Sequence, residues 1–350
     1  MEPADFTPQP EESGAEPSSF KTWLTTTQRG CVVLAVVPTA VLCAGLTALS
    51  TNAFRQYGMM LFMASPFICG MAASTIFTAL NPQKAGSNFR VAGGVTVVLA
   101  VLTTLALLVF SALEGVICVL MAAPFALLMG AVGSVFGQFL GATLGQGSRM
   151  SVLATVVVLY PVGQHYEAAN QAPAAPHEVV TQVHIKAAPA AVWQVITQPV
   201  QYPAKVGPLF KAGVAYPTRT ALKPAANGQR VLECTYSQGK ARLPITVWKP
   251  SQELQFTVPE TPAPMKELSP YPRIHAPHLH GYFQVESGTF RLLAQPDGST
   301  LLEGRTVYLH SMGPRAYWQL WSDYLLDDMH ARVLHAIKTQ AEHAPAQPRL

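Results

Sequence analysis

The sequence predicts two architectures in series: a multi-span α-helical membrane domain, then an α+β domain whose antiparallel strands wrap a long C-terminal helix. Three observations carry this reading. Between Gly30 and about Val162 charges are scarce, and apolar runs reach the roughly 20 residues that cross a bilayer. From His177 onward, short strand-like segments alternate with turn signals. In Pro314–Glu342, Trp318, Trp321, Leu325, Met329, Val333 and Ile337 recur at steps of three or four, one face of a helix.

Low charge overall fits a polytopic membrane protein with a soluble appendage. The net charge is only +4 and the basic residues are dispersed, so no nucleic-acid footprint is expected. Cys31, Cys43, Cys69 and Cys118 lie in apolar runs, which leaves Cys234 alone in the soluble half with no disulfide partner there.

In chain order, residues 1–20 read as a disordered acidic tail. Residues 21–166 read as the membrane domain, with about five spans: Gly30–Ser50, Gly58–Leu80, Val91–Leu113, Gly115–Gly145 and the short Ser151–Val162 with its flanks. Lys21, Arg29, Lys84, Arg90 and Arg149 place the N-terminus in the cytoplasm and the soluble domain outside; Arg55 argues against that scheme. Glu114 is expected as a solvated turn residue. Gly133, Gly137, Gly141 and Gly145 form a smooth helix face, read first as packing within the bundle and second as a dimer face.

Residues 167–178 read as an Ala/Pro linker, 179–343 as the soluble domain and 344–350 as a tail. Strands are predicted at Val179–Ile185, Ala212–Leu222, Val231–Tyr236, Leu243–Trp248, Leu254–Val258, Gly281–Leu293 and Thr300–His310, with a short helix at Pro189–Thr197. Asn227-Gly228 and Pro296-Asp297-Gly298 mark hairpins. A curved sheet around a helix leaves room for an apolar ligand. Its walls would be Trp318, Trp321, Leu325 and Met329 on the helix, with Tyr236, Phe256 and Tyr308 on strands.

The order strand, Ala188-Pro189-Ala190-Ala191-Val192-Trp193, hairpins and final helix resembles the START-like (SRPBCC, polyketide cyclase-like) helix-grip superfamily. Glu114–Cys118, Met265–Tyr271, His275-Ala276-Pro277-His278, Ala316-Tyr317-Trp318 and Leu320–Asp323 are similar to bacterial membrane proteins that fuse several spans to such a domain. The resemblance implies a fold and a pocket rather than a substrate.

Chemistry is thinner. Pro259–His280 is long enough for a lid over the pocket, carrying Tyr271, His275, His278 and His280, with Tyr282 beside it. Three close histidines could hold part of a metal site, but no fourth ligand follows from spacing, so no metal and no cofactor are expected. Cys234 reads as an inert buried thiol. His330, Asp327 or Tyr308 could serve a cyclase-type enzyme as general acid or base, whereas Asp328 and Arg332 read as a surface ion pair. Binding of an apolar or amphipathic molecule (a lipid, quinone or polyketide-like compound) leads. A cyclase or aromatase is the alternative, and a structural assembly role the third.

Overall fold

The computed structural model describes residues 27–81, 87–171, 173–224, 228–260, 264–266, 268–271 and 281–343. The histidine triplet, Glu267 and both predicted tails lie outside the described residues.

Five helices run up and down in the first half. Helix α1 (Gln28–Ala48) starts on Thr27, whose hydroxyl caps the Gly30 N–H at 3.0 Å, and continues as a π-helical turn over Leu49–Phe54. Another π turn, Met60–Ala64, opens α2 (Ser65–Leu80); the wide turn takes up the backbone bond that Pro66 cannot make. Helices α3 (Ser87–Phe110), α4 (Val116–Thr143) and α5 (Gln146–Ala169) follow.

Among the described residues, four segments are long and apolar enough to cross a membrane: Gln28–Phe54, Met60–Leu80, Val91–Phe110 and Val116–Gly141. The fifth predicted span differs. The Ser151–Val162 run is the middle of the 24-residue α5, which also carries Arg149, His165 and Glu167 and is less apolar. Helix α5 nevertheless runs the length of the bundle. It leaves the far end of α4, and its last turn reaches the start of α2, where Glu167 accepts from the Met59 and Met60 N–H groups, at 2.5 and 3.0 Å. The predicted linker is therefore helical over its first residues, and strand β1 begins inside its last two.

Burial in the bundle is inverted relative to a water-soluble protein. Small polar side chains face inward: Ser50, Thr51, Ser74, Thr75 and Gln164 are buried. Large apolar side chains such as Val37, Leu120, Phe139 and Val158 face outward. Gly133, Gly137 and Gly141 lie against α2, so the glycine face serves packing within the chain, while Gly145 faces open space. Glu114 is buried rather than solvated, and accepts the Tyr57 O–H at 2.8 Å.

The second half is an eight-stranded antiparallel sheet in the order β1-β8-β7-β6-β5-β4-β3-β2. The strands are β1 (His177–Ile185), β2 (Val200–Gln201), β3 (Pro217–Pro224), β4 (Arg230–Tyr236), β5 (Gly239–Lys249), β6 (Glu253–Thr257), β7 (Phe283–Ala294) and β8 (Thr300–His310). Helix α6 (Pro189–Thr197) falls on its predicted span, and α7 (Pro208–Ala212) replaces the start of the expected Ala212–Leu222 strand. Bulges in β3, β5 and β7 bend the sheet. Helix α8 (Arg315–His343) lies in its concave face, and the sheet and helix together form a helix-grip fold. One end of α8 packs into the main core, where Ile185, Val192, Leu254, Leu302, Leu334 and Ile337 are almost wholly buried.

The domain rests on the bundle end formed by Tyr57, Phe110 and Val116. The Gly313 N–H donates to the Tyr57 carbonyl at 2.9 Å, and the Val116 N–H to the Leu268 carbonyl at 3.0 Å.

Candidate functional site

Sheet, helix and bundle enclose a cavity of about 240 Å³. From α8, the predicted Trp318, Trp321, Leu325 and Met329 line it, because the three-to-four residue period keeps them on one face. From the sheet come the predicted Tyr236 and Phe256, with Cys234, Leu243, Val258 and Phe283. Phe256 faces Gly288 across the β6–β7 ladder; a methyl on that glycine would meet the ring at 2.4 Å, so a bare backbone makes room for the aromatic side chain.

Tyr308 is a correction. Its ring is fully buried with Val179 and Leu326, and its hydroxyl donates to Asp323 Oδ1 at 2.6 Å, so α8 covers it before it can reach the cavity. Of the residues expected in or beside the lid, Tyr271 and Tyr282 are described. The Tyr271 hydroxyl donates to the Phe110 carbonyl and the Tyr282 hydroxyl to the Arg55 carbonyl, the latter at 2.5 Å. These two side chains are thus tied to the bundle. Arg332 does not pair with Asp328; it donates to the Pro203, Lys205 and Pro217 carbonyls, and its guanidinium lies over Tyr216.

The third wall was not legible in the sequence. Cys118 and Met121 of α4, with Pro264 and Met265, close the cavity on the bundle side. Met265 is fixed by bridging to Val214. Residues so far apart in the chain give no local signal of meeting.

Arg305 reaches the cavity wall with its charge paired to Glu178 and Glu303, at 2.9 and 3.4 Å, while burial favours the uncharged forms of the thiol, phenol and imidazole groups there. Burial pushes the Cys234 thiol up to about 12, and raises the phenols of Tyr236 and Tyr202. Burial lowers His310, with Arg315 adding to the effect, and takes His330 down to about 4 against the opposing pull of Asp327. Both His330 nitrogens are engaged: Nδ1 lies 3.0 Å from Thr181 Oγ1, and Nε2 lies 2.7 Å from Thr306 Oγ1. Thr181 donates to Asp327 Oδ1 at 2.6 Å, so its oxygen accepts from Nδ1–H and the Thr306 hydroxyl donates to Nε2. Two buried polar atoms on the cavity wall have no partner: Trp318 Nε1 and His310 Nδ1. Among the described residues, no three His, Cys, Asp or Glu side chains cluster as a metal site would require.

No protein-family model matches the chain, and no curated protein sequence does. Solved structures with some likeness include the Zhui aromatase/cyclase from Streptomyces sp. R1128, 13% identical over 48% of this chain and 94% of that one, TM-score 0.31. Norcoclaurine synthase from Thalictrum flavum is 10% identical over 51% of this chain and 94% of its own, TM-score 0.33. Likeness at these scores carries no argument about activity or ligand; the helix-grip architecture stands on the strand order, the bulges and the terminal helix.

Proposed function

We propose that this chain is a membrane-anchored protein that binds an uncharged apolar or amphipathic small molecule, such as a lipid, quinone or polyketide-like compound, between its sheet and α8. The observation that carries the reading is the cavity itself. At about 240 Å³ it exceeds the roughly 150 Å³ of an apolar cavity known to take up benzene. Its walls are mostly aliphatic, aromatic and sulfur-bearing, and the one cation on them, Arg305, is already paired with Glu178 and Glu303, so a charged ligand would find no free counter-charge among the described residues to offset desolvation. Solvent extraction of the purified full chain, followed by mass spectrometry, is expected to release an apolar compound in near-stoichiometric amount. Leu325→Trp, which fills the cavity, should lose that compound while the domain still folds. An empty extract, together with tryptophan fluorescence indifferent to apolar additives, would leave only the structural role.

Anchorage is supported by the four long apolar segments and by the outward-facing apolar side chains. With the N-terminus inside and α5 running back along the bundle, the domain lies outside the cytoplasm, and a phosphatase fused after Glu342 is expected to be active. An inactive, stably expressed fusion would reverse the orientation.

A cyclase-type enzyme remains the second reading, supported by the hydrogen-bonded series Asp327–Thr181–His330–Thr306 that runs from the surface to the cavity wall. It predicts turnover of a bound polyketone that His330→Gln abolishes without loss of binding.

A further inference from the structure

The bundle holds a cavity of its own, about 80 Å³, at the end that meets the soluble domain. Leu61, Phe62, Leu105, Ala122 and Ala126 contribute to its walls, and polar groups on it are already engaged: Tyr57 with Glu114, and Cys69 Sγ at 3.7 Å from Thr104 Oγ1. Cys118, Met312 and Trp318 line this cavity and the larger one alike.

We propose that the two cavities are successive chambers of one route, by which an uncharged lipid-like molecule bearing a hydrogen-bond acceptor (a ketone, ester or quinone carbonyl) passes from the bundle into the helix-grip cavity. This rests on the binding reading above and deepens it: the bundle delivers the ligand as well as holding the domain in place.

Three features converge on the shared wall. Trp318, Met312 and Cys118 form the partition the two cavities share. The Trp318 ring stands edge-on to Phe62 of the bundle, centroids 4.8 Å apart, and Met312 and Cys118 complete it. Unbranched thioether and thiol side chains adapt to a passing group more readily than branched ones. The Trp318 indole is 5% exposed, and its Nε1–H has no partner. Buried donors are almost always satisfied, so an orphan in the partition offers a ligand's oxygen a partner once the Trp318 ring swings aside. Finally, the larger cavity takes Cys118 and Met121 of α4 as wall, so its bundle side is built from the helix that also lines the smaller chamber. A molecule sparingly soluble in water reaches such a site at a far higher concentration from a bilayer than from solution.

The test uses the full chain in phosphatidylcholine vesicles with a photoreactive long-chain ketone, reading labelled peptides at Leu325–Met329 by mass spectrometry. Wild type should be labelled from probe dissolved in the bilayer. Ala126→Phe narrows the bundle chamber without touching the larger one. It should lose labelling from the bilayer yet be labelled when the ketone is supplied from water on cyclodextrin. Equal labelling from the bilayer in Ala126→Phe and wild type would overturn the route. Should Ala126→Phe lose labelling from both sides, Trp318→Phe decides. It keeps an aromatic ring and removes the N–H, so ketone labelling should weaken about tenfold against a matched hydrocarbon probe. Equal treatment of the two probes by Trp318→Phe would overturn the proposal. Wild type unlabelled from either side would instead sink the binding reading on which it rests.

Discussion

Gly133→Ala is expected to destabilise the helix bundle by about 3 kcal/mol or more, at or beyond the upper end of overpacking costs. The reason is geometric. A Cβ at Gly133 would stand 2.0 Å from the Phe67 carbonyl oxygen of α2 and 2.8 Å from its carbon. Those atoms belong to a helix backbone, which cannot swing aside as a side-chain tip can. Gly70 on α2 is equally tight, its Cβ position 1.8 Å from the Gly130 carbonyl oxygen, so α2 and α4 touch backbone to backbone along the stripe. Gly145→Ala meets nothing within 4 Å and serves as the control. The measurement is the thermal midpoint of monodisperse protein in detergent. A Gly133→Ala midpoint matching that of Gly145→Ala would mean the two helices do not approach this closely.

Acidification is expected to destabilise the helix-grip domain through His330. Its imidazole ordinarily titrates near 6.5, and burial in the fold lowers that to about 4. Between those values the unfolded chain binds a proton that the folded chain refuses, so stability is full above about pH 6.5 and is lost as pH falls toward about 4. The interval corresponds to about 3 kcal/mol at 1.36 kcal/mol per pH unit. Carboxylates titrate in the same range, so the quantity to follow is the difference between wild type and His330→Gln. The variant should gain on wild type as pH drops from 7 to 4. Parallel pH profiles would show that His330 charges in place.

The α8 wall of the cavity was legible because a helical period is a local property: Trp318, Trp321, Leu325 and Met329 needed only their own spacing. Strand alternation gave the faces of Tyr236 and Phe256, whereas nothing local showed what covers Tyr308. Tyr236 and Phe256 reach the cavity, while Tyr308 lies under Leu326. Charge spacing misled at Arg332, whose fork fits three backbone carbonyls better than one carboxylate on its own helix. Hydropathy gave four long apolar segments and α5 only as the short Ser151–Val162 run, because its apolar outer residues Val158, Leu159 and Val162 are followed by the buried Gln164 and the capping Glu167. The wall formed by Cys118 and Met121 depends wholly on how domain and bundle meet, which no window of sequence encodes.

The sheet order also sets a timetable. Strand β1 follows directly on α5, and its neighbour in the sheet is β8, paired along all of His177–Ile185. On the ribosome β1 therefore emerges first and its partner emerges last, just ahead of α8. At typical elongation rates that gap is on the order of ten seconds. Throughout it the bundle can assemble, while β1 waits with its backbone groups unpaired and no cavity exists. The cavity thus forms only after translation has passed His310 and α8 has been released to close the grip.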